Sequence, residues 1–468
     1  MGPHKETPNG AVAAGHNAPI TRSRVLRPHS RPTIHSLPLE LLSEIFIFVL
    51  PTDQEIYTRL ESYDNEEWEL INPTLVFCAV CSSWRFLAFS TPRLWNRIHI
   101  HVPRNINEAQ ARRKAANLVQ WISRSRSLPL TLHVSGHYNI CSLAEKNAEA
   151  LIISVINDYA ARWESWYSQD FTLSSSSFRV NGWHSLRRLS YPCSDLVSCA
   201  NEIVPWAHLT HLHIRDYMAC QDATMIFMKC PKLVYLSIMV FSSTIEQITV
   251  PIILQDLAIF YLKPSAGAAN LQTILRRLSL PSLHTFSISE ISSGDIESLS
   301  NLFTRSSCTL DRLDICAVNL TSRDYTDVLA HSSCDSLTSL SIRPLHVPID
   351  EEMLRRLTLR LNDTICSHLS SLTINYRIPA SSFSAVLNMV KSRIGSRSVA
   401  GQVPAEPRLQ YLQLNLKCFK KNLAELEEVG GRSGMEYSRK VLGRGGFSVR
   451  FRRQGFGEPP NFTELFWS

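Results

Sequence analysis

Nine times between residues 186 and 414 the chain repeats one six-residue phrase, L-x-x-L-x-I with small variations. It reads LRRLSY from Leu186, LTHLHI from Leu209, LVYLSI from Leu233, LQDLAI from Leu254 and LHTFSI from Leu283. It continues as LDRLDI from Leu310, LTSLSI from Leu337, LSSLTI from Leu369 and LQYLQL from Leu409. Successive starts lie 23, 24, 21, 29, 27, 27, 32 and 40 residues apart. One such phrase means little, but nine in order, each followed by helix-like residues, demand a stack of like units. A single strand and helix cannot bury its own apolar face, so each unit needs its neighbours.

Alternation along a strand sends the leucines and isoleucine of the phrase to one face and its third and fifth residues to the other. The fold class predicted is therefore α/β: parallel strands lining the concave side of an irregular horseshoe, helices on the convex side. The mean period of about 28 residues is that of leucine-rich repeats. The Asn that usually ends the phrase is missing; Ser194, Tyr217, Phe241 or Val318 stands there. The turns must then satisfy their backbone groups in some other way. If a binding site lies on the face opposite the leucines, its large polar and aromatic residues are the candidates: Arg188, His211, His213, Tyr235, Arg312, Asp314 and Tyr411. Aromatic and Arg side chains carry most interface energy.

Ahead of the repeats, IHSLPLELLSEIFIFVL reads as a helix with Ser36 as a cap, Pro38 in its first turn and Pro51 at its end. TLVFCAVCSSWRFLAFS is apolar around much of its surface, too much for a helix with one wet face. Two such helices within about 65 residues cannot hide all that surface, which implies a docking partner or a following domain. The ordered set Leu37, Pro38, Glu40, Leu41, Leu42, Ile45, Phe46, Val80, Cys81, Trp84, Arg85, Pro92, Leu94 and Trp95 resembles the F-box family, closest to the F-box proteins numerous in mushroom-forming fungi. The resemblance covers about residues 34–96 and departs from the family pattern in a longer acidic loop. It implies docking on a Skp-type adaptor, and through it a cullin scaffold, by Leu37, Pro38, Leu41, Leu42, Ile45, Phe46, Val80, Trp84, Leu94 and Trp95. Trp84 and Trp95 can equally be core.

The domains expected are a disordered basic arm (1–32), an F-box domain (33–100) with an acidic insertion (51–72), a repeat array (101–429) and a flexible basic Gly/Arg tail (430–468). The net charge of +7 is unevenly placed. Arm and tail carry +4 each, the insertion −6, and residues 33–429 as a whole about −1. The folded body is thus not a general nucleic-acid surface.

No catalytic constellation is evident. The sequence has no H-E-x-x-H, no G-x-S-x-G and no Walker loop. Gly443, Gly445, Phe447 and Val449 mimic a kinase glycine loop, with no room downstream for the rest of a kinase. Cys78 and Cys81 form the one C-x-x-C, with no second pair at zinc spacing, so no metal and no cofactor are expected. The other cysteines sit in apolar runs and read as reduced core thiols. No run reaches 18 apolar residues, and the N-terminus lacks a secretory h-region, so no membrane partner is expected and residence is cytoplasmic and/or nuclear. The function expected is a non-enzymatic substrate receptor of an SCF-type ubiquitin ligase, its repeats holding an unknown protein target. The alternatives are a non-ligase interaction scaffold and a nucleic-acid binder acting through its basic tails.

Overall fold

The computed structural model describes residues 34–52, 73–103, 106–136, 143–169, 182–191, 204–241, 251–265, 271–347, 349–359, 365–378, 380–394, 409–416, 420–432, 435–442 and 446–453. The basic arm, most of the acidic insertion, Gly443, Gly445 and residues 454–468 lie outside them.

The chain opens with three helices, α1 (Leu39–Val49), α2 (Pro73–Val80) and α3 (Ser82–Ser90). Strand and helix then alternate: β1 (Arg97–Val102), α4 (Glu108–Arg124), β2 (Leu130–Gly136), α5 (Leu143–Asp158), β3 (Trp163–Gln169), β4 (Arg188–Tyr191), β5 (His211–Ala219), α6 (Cys220–Lys229) and β6 (Tyr235–Phe241). Next come β7 (Ile252–Ile253), β8 (Ile259–Pro264), α7 (Leu271–Leu275), β9 (Leu278–Ser279), β10 (Thr285–Ile291), α8 (Ile296–Ser306), β11 (Arg312–Ala317) and α9 (Ser322–Leu329). The chain closes with β12 (Ser339–Pro344), α10 (Glu351–Leu357), β13 (Ser371–Ile378), α11 (Phe383–Ile394), β14 (Tyr411–Leu416), α12 (Lys420–Arg432), β15 (Met435–Leu442) and β16 (Gly446–Arg453). The helices start where their caps direct. Asn107 and Gln110 form a capping box at α4, Thr321 and Asp324 form another at α9, and the Asp350 side chain accepts from the Met353 N–H at α10.

The fold is mixed α/β with one mostly parallel sheet. Fourteen strands run β1-β2-β3-β4-β5-β6-β8-β10-β11-β12-β13-β14-β16-β15, and β7 pairs with β9 apart from them. Up to β14 the neighbours are parallel and follow chain order, so each strand is reached by one crossover. Leu189, Leu212, Leu236, Phe260, Phe286 and Leu313 are in register on neighbouring strands and fully buried. Leu299 and Leu302 of α8 and Val386 and Met389 of α11 join the same continuous core. That apolar burial is the main term holding the units together.

The register corrects the repeat at one place. Tyr235 pairs with Ile259 and Leu236 with Phe260, so the fourth unit starts at Leu257 (LAIFYL) and not at Leu254. The cause is a turn common to most units. The leading leucine N–H bonds back to a buried residue three earlier: Leu186 to Trp183, Leu209 to Trp206, Leu233 to Cys230, Leu337 to Cys334, Leu369 to Cys366. In the fourth unit that earlier residue is Leu254, a leucine at leucine spacing, so the phrase can be read three residues early.

Two recurring contacts tie the turn ahead of each strand to the preceding unit. Hydroxyls at the second place of the phrase donate to the second-place carbonyl of the preceding unit: Thr210 to Arg187, Thr338 to Asp311, Ser370 to Thr338. Arginines reach back to the helix–strand turn of the preceding unit. Arg162 donates to Leu128 O and Ser125 Oγ, Arg305 to the Leu278 and Leu275 carbonyls, and Arg393 to the Leu357, Ile365 and Cys366 carbonyls.

Two boundaries also change. The sheet begins at β1, which the expected boundary at residue 100 cuts, while β2 and β3 fall inside the array expected from residue 101. The expected flexible tail is, over residues 435–453, an antiparallel hairpin joined to β14 through β16. Its Val449 and Phe451 are buried, and Gly430 of α12 lies so close to Phe451 that a Cβ would come within 2.9 Å of the ring. Only glycine allows that approach.

Candidate protein-docking surface

The three N-terminal helices close around a small core of Leu42, Phe46, Phe77, Leu87, Ala88, Leu94 and Trp95. Phe46 stacks on Phe77 at 4.3 Å between centroids and meets the half-buried Trp84 at 4.8 Å. The Trp95 indole N–H donates to Ala88 O at 2.7 Å, and buried Thr74 donates to Leu94 O at 3.1 Å. Trp95 and Thr74 thus have acceptors, whereas the buried Trp84 indole N–H has none among the described residues.

Outside this core the same helices are apolar and bare. Of the exposed large apolar side chains among the described residues, twelve lie on this unit and five elsewhere. Leu41 is 54% exposed, Ile45 41%, Val80 55% and Phe48 90%. On α1 the exposed set Leu41, Ile45, Phe48 and Val49 follows the spacing i, i+4, i+7, i+8, one stripe of a helix. Leu75, Val76 and Val80 on α2, with Leu37 ahead of α1, are exposed as well. A monomeric soluble surface rarely leaves so much apolar area in one place without a use.

Ten residues are expected on the docking face, and the structure divides them. Leu37, Pro38, Leu41, Ile45 and Val80 are exposed. Leu42, Phe46, Leu94 and Trp95 are buried in the unit's own core, and Trp84 is half-buried against Phe46. Residues 41/45 and 42/46 differ by one position, about 100° of helix rotation, so one pair turns into the core while the other is left at the surface. Phe48, Val49, Leu75 and Val76 belong to the exposed face and were missed. The i+7 and i+8 spacing from Leu41 is the signal that marks two of them.

The unit is seated firmly on the sheet. Trp95 meets Trp121 of α4 edge-on at 4.6 Å, and the Arg124 guanidinium lies 4.5 Å from both the Phe89 and Trp95 rings. Arg97 donates to Pro51 O at 3.2 Å, and the Thr131 N–H to Asn96 O at 2.9 Å. The Cys78 thiol is pushed up by burial, with Arg124 and Arg85 pulling the other way, so it stays protonated and unreactive. Among the described residues no group of three His, Cys, Asp or Glu is placed to hold a metal ion, and no helix is long and apolar enough to cross a membrane.

The second candidate set lies on the sheet face turned away from the helices, and it too divides. Arg188, His211, His213 and Arg312 are half-buried and reach that surface. Tyr235, Asp314 and Tyr411 are buried within it. The His211 ring stacks on Tyr235 at 6.1 Å, Asp314 accepts from Ser287 Oγ at 2.9 Å and pairs with Arg343, and the Tyr411 hydroxyl donates to Gln413 Oε1 at 2.8 Å. These three build the floor; they do not project from it. Burial, with Arg188 beside it, lowers His211 to about 4; burial, with Arg215 beside it, lowers His213 to about 3. Both rings are neutral at pH 7 and act there as hydrogen-bonding aromatics. Among known proteins, no family model matches the chain and no curated protein matches it.

Proposed function

We propose that the chain is a substrate receptor of an SCF-type ubiquitin ligase: an F-box docking on a Skp-type adaptor, followed by a leucine-rich-repeat horseshoe that holds the target. The observation that carries this reading is the bare apolar stripe of Leu41, Ile45 and Val80 on a unit whose own core is already closed. Covering one such side chain contributes roughly 1.5–3 kcal/mol, and a handful outweighs the cost of association. The firm seat of this unit on the sheet supports the rest, since a receptor must hold its target at a set distance from the transfer site. The receptor makes and breaks no bond; proximity does the work.

The test is co-purification of the full chain with a Skp-type adaptor and a cullin. Leu41→Asp is expected to weaken adaptor binding by a hundredfold or more. Its unfolding free energy should stay within about 0.5 kcal/mol of wild type, because the site is exposed. Unchanged adaptor binding by this variant would overturn the reading. Adaptor binding without cullin recruitment would favour a non-ligase scaffold instead.

A further inference from the structure

Serine and arginine alternate over residues 123–127, where α4 ends and a turn leads into β2. The last of them, Ser127, is exposed, as are Arg126 before it and Pro129 after it. Arg124 stands three places ahead of Ser127. Five other hydroxyls among the described residues also stand three places after an arginine: Ser165, Ser190, Ser279, Thr326 and Thr358. Ser165 and Ser190 are buried. Ser279 of β9 lies between buried Leu278 and Leu280. Thr326 and Thr358 are turned back onto helix carbonyls, those of Ser322 and Leu354, each at 2.8 Å. Of the six, Ser127 alone is exposed and lies on a turn, where local opening costs least.

Cations surround this turn. Arg162 Nη2 donates to Ser125 Oγ at 2.7 Å and to Leu128 O at 2.8 Å, one on each side of Ser127. Burial lowers Arg162, Tyr159 pulls the other way, and no carboxylate acts on it. Arg126 holds a left-handed φ of 53°, and Arg124 lies over the Phe89 and Trp95 rings. The acids nearest Arg162 in the chain are Glu164 and Asp158, and Asp158 has contacts of its own. A doubly charged phosphoryl group at Ser127 would be repelled by the carbonyls that end α4; Arg126 and Arg162 offset that repulsion.

We propose that Ser127 is the acceptor of an arginine-directed protein kinase, and that Arg126 and Arg162 hold the phosphoryl group once it is attached. The Ser127 oxygen attacks the γ-phosphorus of ATP. The bond from that phosphorus to the β-phosphate oxygen breaks, ADP leaves, and the hydroxyl proton passes to the kinase's carboxylate base. The turn continues α4, which seats the docking unit through Trp121 and Arg124, so the added charge falls beside that seat. The inference stands independently of the receptor reading.

The experiment incubates the full chain with ATP and the catalytic subunit of cyclic-AMP-dependent protein kinase, and maps phosphate by mass spectrometry. Occupancy at Ser127 is expected to exceed that at each of the other five hydroxyls tenfold or more. Phosphorus NMR then titrates the phosphoserine, its signal assigned by its loss in Ser127→Ala. The midpoint is expected about half a unit below that of the free phosphopeptide of the same sequence, because the cations favour the doubly charged form. Arg162→Gln, folded by circular dichroism, should lose most of this shift, and Arg126→Gln, at an exposed site, part of it. Occupancy at Ser127 no greater than at the other five would overturn the site. A midpoint equal to the peptide's, or unmoved by the folded variants, would overturn the capture by Arg126 and Arg162.

Discussion

Between pH 7 and pH 5 the protein is expected to lose about 3–5 kcal/mol of folding stability through three imidazoles. His99 is lowered to about 3 by burial, with His133 and His101 adding repulsion. His211 and His213 are lowered to about 4 and about 3, with Arg188 and Arg215 as the neighbouring charges. Each ring is neutral in the folded state, whereas the unfolded ring takes up a proton near pH 6.5. Stability is therefore fully present above about pH 6.5, falls as the pH drops below it, and levels off near the folded values of 3–4. A single ring contributes about 2 kcal/mol at pH 5, and the partial exposure of all three trims their sum. Urea titrations at the two pH values measure the loss, and His213→Gln should remove about a third of it. A midpoint independent of pH over this range would refute the assignment.

The second large effect is expected at Arg393. Its side chain is buried, and its guanidinium donates to the carbonyls of Leu357, Ile365 and Cys366. Cys366 itself holds a left-handed φ of 54°, so this turn depends on outside support. Arg393→Met strips the donors from buried acceptors and should cost about 3–5 kcal/mol, measured by chemical unfolding. Arg393→Lys keeps the charge and loses the fork, and should recover less than half. A cost below about 1 kcal/mol for the Met variant would mean that water supplies the missing donors.

Much of this architecture can be read from residue order alone, and its failures have physical causes. The repeated phrase locates the parallel strands from β4 to β14, because the paired leucines face one continuous core. It misses β1 to β3, where Ile98, Leu132 and Trp166 fill the leucine place without a leading leucine to announce them. It slips at Leu254 because the turn residue there is also a leucine. The hairpin was visible as Phe447, Val449 and Phe451 alternating with Ser448, Arg450 and Arg452, a period of two. Reading that stretch for its charge hid the alternation. At the candidate docking face the residue types were legible, but the one-residue offset between bare Leu41 and buried Leu42 depends on where α2 and α3 pack.

A row of like units has no inherent last member, and an open parallel rim invites a further strand from any passing copy. Here the chain reverses direction at its final two strands. The outermost one presents exposed Glu436, Ser438, Arg439 and Lys440. A newcomer would meet a strand fringed with charge, which disfavours edge-to-edge pairing.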